Sequence, residues 1–160
     1  MSSRASRHES AQPAAQAIPL PNQSVDSEQH DYRVAPKVKK VLVVDDSATM
    51  RRMIIASLST IGDLTFEQAV SGLEAIERIT LSSVDLVVLD LNMPDVHGLE
   101  VLRFIRGQHA LRDLPVAVLT TRGDEDSRAA ALRDGATIYL TKPFVPTTLV
   151  SQLKPLLQVA

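Results

Sequence analysis

Residues 84–106 read VDLVVLDLNMPDVHGLEVLRFIR, and three patterns follow one another within that stretch. Leu86-Val87-Val88-Leu89 is an unbroken apolar run, as a strand buried on both faces requires. Asp90 ends the run, and Asn92, Pro94 and Gly98 are turn formers, so a loop follows. Leu99, Leu102 and Ile105 then recur at helical spacing and predict a helix over 98–106. The stretch is one strand–loop–helix unit with a carboxylate at the end of its strand.

The same unit recurs on either side. Val41-Leu42-Val43-Val44 predicts the first strand, ending in Asp45-Asp46. Met50, Met53, Ile54, Ser57, Leu58 and Ile61 follow at helical spacing, and Gly62 marks the stop. A weaker strand is expected over 64–69, then a helix over 72–81 with Leu73, Ile76 and Ile79 on its apolar stripe. Val116-Ala117-Val118-Leu119 predicts the fourth strand, followed by Thr120-Thr121, and a helix over 124–134 that Gly135 closes. A short strand over 138–140 leads to Lys142-Pro143. The last helix is expected over 146–157, with Pro146 in its first turn and Pro155 kinking or fraying its end. Five alternating units predict an α/β fold with a doubly wound parallel sheet and helices on both faces. In such sheets ligands bind outside the carboxyl ends of the strands.

Composition narrows the function. Of 160 residues, 44% are hydrophobic and 22% charged, ordinary values for a chain with a globular core. Seventeen Lys+Arg against nineteen Asp+Glu give a net charge of -2, which argues against a nucleic-acid partner. Absence of cysteine excludes disulfides, thiolate metal sites and a cysteine nucleophile. No apolar run approaches the roughly 18 residues of a membrane span, so no membrane association is expected. Residues 1–37 are rich in Ser, Ala, Gln and Pro, lack apolar periodicity, and predict a disordered tail before a domain over 38–160. The tail has no continuous apolar stretch of the secretory kind, and a cytoplasmic location is expected.

The strand ends carry complementary groups. Asp45, Asp46 and Asp90 brought to one rim would repel one another, and a hard divalent cation, Mg²⁺, is the natural remedy for such an oxygen set. Thr120 adds a hydroxyl and Lys142 an ammonium. Each has a plain structural use alone: Asp45-Asp46-Ser47 can cap a helix, Asp90 can open a turn, Thr120 can bond backbone and Lys142 can face solvent. Four strand ends delivering them together point instead to phosphoryl chemistry. A carboxylate ionised at neutral pH needs no general base to act as nucleophile, and metal and ammonium would neutralise the phosphoryl group it accepts.

The stretches VLVVDDSATMRRMI, DLVVLDLNMPDVHGLEVLRFIR, LPVAVLTTRGDEDS and LRDGATIYLTKPF, with the final helix, resemble the receiver domains of two-component response regulators, the CheY-like family. The resemblance spans 38–157, and Met50-Arg51-Arg52 in the first helix is most similar to the stand-alone chemotaxis members. It implies a flavodoxin-like sheet of order 2-1-3-4-5 with five helices. It implies that Asp90 accepts a phosphoryl group from a sensor histidine kinase or from a small donor such as acetyl phosphate. Mg²⁺ would be held by Asp46 and Asp90 directly, by Asp45 through water, and by the backbone carbonyl of Asn92. Lys142 and Thr120 would bind phosphoryl oxygens, and the Lys142–Pro143 peptide would be cis. Thr120 and Tyr139 would form the switch, with Tyr139 filling the space that Thr120 vacates. An output protein would bind the last two helices and the fifth strand, where Arg128, Arg133 and Tyr139 are candidates. Such a chain is no enzyme beyond assisting its own phosphorylation and dephosphorylation.

The chain ends three residues after the expected last helix, which suggests a stand-alone regulator signalling by phosphorylation-dependent protein binding. The rival reading is an intermediate or phosphate sink in a phosphorelay, exchanging phosphoryl with a histidine phosphotransfer protein. Two positions depart from the family pattern. His97 stands where Asp or Asn is common and is expected to be a solvent-facing loop residue. Arg122 stands two residues after Thr120, where chemotaxis motor-switch members carry an acidic group, so the similarity does not extend to flagellar function. Arg122 is expected to lean over the phosphoryl group and obstruct attacking water.

Overall fold

The computed structural model describes residues 37–158; the expected tail, Lys37 apart, lies outside the described residues. The elements run β1 (Lys39–Val44), α1 (Ala48–Leu58), β2 (Leu64–Ala69), α2 (Gly72–Leu81), β3 (Leu86–Leu89), α3 (Gly98–Gly107), β4 (Val116–Thr120), α4 (Glu125–Arg133), β5 (Ile138–Thr141) and α5 (Pro146–Leu157). Short 3-10 turns follow α1 (Ser59–Ile61) and α3 (His109–Leu111). The strands form one parallel sheet in the order β2-β1-β3-β4-β5. This is the doubly wound, flavodoxin-like arrangement that the alternation of units and the resemblance implied.

Strand parity builds two apolar layers. Val41 and Val43 of β1, with Leu86 and Val88 of β3, pack against Ile54 and Leu58 of α1 and Leu149 and Leu153 of α5. Leu42, Val44, Val87 and Leu89 point the other way, against Ala75 and Ile79 of α2 and Leu102 and Ile105 of α3. Each fully buried Val or Leu contributes about 1.5–3 kcal/mol, so the scaffold can tolerate charged groups buried at one end. Helices start where short polar side chains cap them. Ser47 accepts from the Met50 amide (3.2 Å), Ser71 from Glu74 (3.1 Å) and Asp124 from Ser127 (3.0 Å).

The sequence reading needs correction at several helix positions. Leu73 was expected on the buried stripe of α2, but it is 63% exposed, and Gly72, Ala75 and Ile79 form the buried face. Only glycine fits at 72, because a Cβ there would stand 2.5 Å from the Val96 carbonyl oxygen. The backbone closes on its neighbour at that point, and the adjacent leucine is left outside. Met53 is likewise 47% exposed beside buried Ile54. The last helix, by contrast, runs over Pro146–Leu157 as expected: Leu153 and Leu157 are buried on either side of Pro155, which holds the last turn, and Gln158 closes the helix in the left-handed region (φ +52°). His97 is no free loop residue: it is the N-cap of α3, and its Nδ1 accepts from the Leu99 amide at 3.1 Å.

Candidate functional site

Strand order reverses between β1 and β3, and ligands bind in doubly wound sheets at such a crevice. Parallel pairing continues past the strand ends there. The Asp45 amide donates to the Ala69 carbonyl (3.1 Å), Asp90 to Val44 (2.9 Å) and Lys142 to Thr120 (2.8 Å). These bonds carry the chemical groups of β1, β3 and β5 to one rim. Asp45, Asp46 and Asp90 each offer an oxygen, and these oxygens all lie within 4.8 Å of one another. Asp45 and Asp90 are buried and Asp46 is exposed.

Lys142 is the counter-charge. Its Nζ donates to Asp45 Oδ2 at 2.5 Å and lies 3.4 Å from Asp90 Oδ2. The Lys142–Pro143 peptide is cis. Three carboxylates against one ammonium leave negative charge in excess, and the oxygen-only donor set suits a hard divalent cation. Burial, the largest effect, pushes the Asp90 carboxyl above its ordinary range, and the Asp45 carboxylate pushes it the same way. The Lys142 ammonium, the Asn92 amide and Thr120 pull against that shift.

The two buried carboxylates are committed to different degrees. Asp45 is held at both oxygens, Oδ1 by the Ser47 amide (2.9 Å) and Oδ2 by Lys142. Asp90 has longer contacts, 3.3 Å from the Asn92 amide and 3.4 Å from Lys142, with the Thr120 hydroxyl also acting on it. Thr120 is fully buried at the end of β4, and its Oγ1 accepts from the Asn92 side-chain amide at 3.4 Å. That amide also donates to Thr121 Oγ1 at 3.3 Å. Asn92 is read in sequence as a turn former and, through its backbone carbonyl, as a metal ligand; this side-chain link from the β3–α3 loop to β4 is not foreseen there.

Tyr139 is buried in β5, and its hydroxyl donates to the backbone carbonyl of Arg122. Burial, with Asp124 nearby, pushes the phenol above its ordinary value, so it stays a neutral donor. The Arg122 side chain lines a groove with His97 and Asp124 between the starts of α3 and α4. Arg128, Leu132, Tyr139 and Gln152 line a depression of about 360 Å³ on the α4–β5–α5 face, and Arg133 is exposed on α4.

Two supporting groups lie within recognised stretches, but their contacts carried no sequence signal. Arg51 donates from one terminal nitrogen to the Asp45 carbonyl (2.7 Å) and from Nε to Gln68 Oε1 (2.9 Å), tying the acidic loop to β2. Asp95 reaches from the β3–α3 loop to the first amides of α2. An arginine in a helix and an aspartate after Met-Pro are ordinary in sequence, and only the fold reveals their partners. Among the described residues no helix is long and apolar enough to cross a membrane.

Comparison with known proteins agrees with this geometry. A family model described as response regulator receiver domain matches residues 41–154. The chain is 37% identical over 119 residues to a Campylobacter jejuni chemotaxis protein CheY homolog, covering 74% of this chain and 92% of that protein. Chemotaxis response regulator CheY4 of Vibrio cholerae superposes with a TM-score of 0.69 at 33% identity, covering 74% of this chain and 98% of that one. The Mn²⁺-bound form of response regulator Rcp1 does so with a TM-score of 0.68 at 28% identity, covering 76% and 96%. A doubly wound sheet with an acidic rim, a family match across most of the chain and these relatives lead to one conclusion: the chain belongs to the response regulator receiver domain family and is a CheY-like signalling protein of the two-component type.

Proposed function

We propose that the domain over residues 38–160 accepts a phosphoryl group on Asp90 from a histidine kinase, in a Mg²⁺-dependent reaction, and signals by phosphorylation-dependent protein binding. The observation that carries this reading is the state of the two buried carboxylates. Asp45 has both oxygens engaged in short hydrogen bonds, whereas Asp90 keeps its oxygens nearly free while standing beside an ammonium. A carboxylate oxygen of Asp90 forms the new O–P bond as the P–N bond of a phosphohistidine breaks. The electron pair leaves on the imidazole nitrogen, which takes up a proton.

Asp46, Asp90 and the Asn92 carbonyl are the groups to hold the cation, with Asp45 acting through water, and the Mn²⁺-bound relative supports a divalent site. When bound, the cation supplies charge neutralisation for the carboxylates and the phosphoryl oxygens. Lys142 then turns from the carboxylates to a phosphoryl oxygen, and Thr120 hydrogen-bonds another. Movement of Thr120 is relayed to Tyr139 and so to the α4–β5–α5 face, where an output protein binds.

Intact-protein mass after incubation with acetyl phosphate and Mg²⁺ tests the reading. The expected result is a gain of one phosphoryl group that disappears with chelator and in Asp90→Asn. No gain, even with a kinase donor, sinks it. The same variant reports on burial. Because the Asp90 pKa is raised, its ionised form disfavours folding at neutral pH, and this cost fades as pH falls through the raised value. Asp90→Asn is therefore expected to melt a few degrees higher than wild type in metal-free buffer at neutral pH. A lower melting temperature there shows that Lys142 and Asn92 outweigh burial.

Phosphoryl lifetime falls to Arg122, which stands two residues after Thr120 and lines a groove with His97 and Asp124. Arg122→Ala is expected to speed dephosphorylation by opening the path for water. An unchanged decay rate removes Arg122 from the mechanism.

A further inference from the structure

The loop from Asp90 to α3 is held at two points within its own strand and helix, and outside them by the Asn92 side-chain amide on Thr120 and Thr121 and by Asp95 on α2. At one end the Gly98 amide donates to the Leu91 carbonyl at 3.1 Å. At the other end His97 caps α3. Between them the exposed Asp95 grips α2 with both oxygens: Oδ1 accepts from the Gly72 amide and Oδ2 from the Leu73 amide, each at 3.1 Å. Asn92 lies between the first anchor and the grip.

Capping α2 does not by itself account for Asp95. That helix already carries its own local cap. Ser71 Oγ accepts from the Glu74 amide at 3.1 Å, and Glu74 Oε2 accepts from the Val70 amide at 3.3 Å. The two devices engage different amides of the same turn, and of the two caps it is Asp95 that ties the turn to the loop beside the acidic cluster. Backbone amides, that of Val96 first and then those of Leu73 and Gly72, hold the Asp95 carboxyl below its ordinary range, so the grip is charged at neutral pH and meets the positive end of the α2 dipole. Val96 is pressed against Gly72 closely enough that no Cβ fits between them.

We propose that Asp95 is a positioning residue for the cation site: by fastening the 91–97 loop to the start of α2, it fixes where the Asn92 carbonyl stands. This rests on the reading of Asp45, Asp46, Asp90 and the Asn92 carbonyl as a divalent-cation site. Groups that orient metal ligands without touching the metal typically govern affinity by tenfold or more.

The test compares Asp95→Ala with Ser71→Ala in the full chain. Both remove a cap from the same helix end, so a merely structural role makes them alike. The readouts are Mg²⁺ affinity by titration calorimetry, hydrogen exchange of the Asn92 amide without metal, and melting temperature. Asp95→Ala is expected to weaken Mg²⁺ binding about tenfold and to speed Asn92 exchange. Ser71→Ala is expected to lower the melting temperature while leaving both other readouts at wild-type values. Asp95→Asn, which keeps one acceptor oxygen, falls between and serves if the alanine variant does not fold. If Asp95→Ala binds Mg²⁺ like Ser71→Ala, the clamp is overturned although the cation site stands. If wild type itself binds no Mg²⁺, the cation-site reading fails and the clamp fails with it.

Discussion

Lys142→Met is expected to lower stability by about 3–5 kcal/mol in chelator-containing buffer, the cost of removing one partner from a buried ion pair. Lys142 and Asp45 side chains are only 9% and 2% exposed, and the ammonium also stands 3.4 Å from Asp90. Without it, two buried carboxylates and the neighbouring Asp46 face one another with no ammonium between them. The drop in melting temperature should be on the order of 10 °C for a domain of this size. Saturating Mg²⁺ should narrow the gap, because a divalent cation supplies the missing positive charge. Lys154→Met, at an exposed position of α5, is the control and is expected to be nearly neutral. The double variant Asp45→Asn/Lys142→Met should recover part of the loss, since neither partner is then stranded. Equal, small effects for Lys142 and Lys154 would show that the ammonium is not stabilising the acidic rim.

Gly98→Ala is the second large effect. A Cβ at 98 would stand 2.5 Å from the Asp90 carbonyl oxygen and 2.6 Å from Leu91 Cα, and both are backbone atoms that no rotamer change can clear. Either the start of α3 or the backbone of Asp90 itself must shift. We expect a stability loss of about 2–3 kcal/mol from overpacking, together with a fall in the rate of phosphoryl uptake from acetyl phosphate. Gly107→Ala, at the other end of α3, meets nothing within 4 Å and is expected to hold or raise stability. A Gly98→Ala protein with wild-type melting temperature and uptake rate would mean that α3 slides freely over β3.

The sheet was legible because its three inner strands, β1, β3 and β4, are apolar runs buried on both faces and followed by turn formers or polar strand ends. The rim was legible because Asp45, Asp90 and Lys142 each stand directly after a strand and Thr120 ends one, so topology alone brings them together. Errors fell where a tertiary approach overrides a local pattern. Leu73 satisfies helical spacing, but the contact of Val96 with Gly72 turns the helix so that the leucine faces water. His97 is read in sequence as a departure from the expected Asp or Asn, yet its Nδ1 does the acceptor's work at the start of α3. The hold of Arg51 on the Asp45 carbonyl and of Asp95 on the α2 amides was not legible, because those partners are backbone groups that carry no residue signature.

The tyrosine contact has an evolutionary corollary. Tyr139 is anchored on the main-chain carbonyl of Arg122, a group every amino acid brings, while the side chain at 122 borders the groove toward α4. Under the proposed function, in which Arg122 sets phosphoryl lifetime and Tyr139 reports it, substitution at 122 would retune how long a signal persists without detaching the tyrosine. Duration and readout would then be separately adjustable traits, and a lineage could reach a slower or faster response by drift at a single codon while its recognition surface stays as it is.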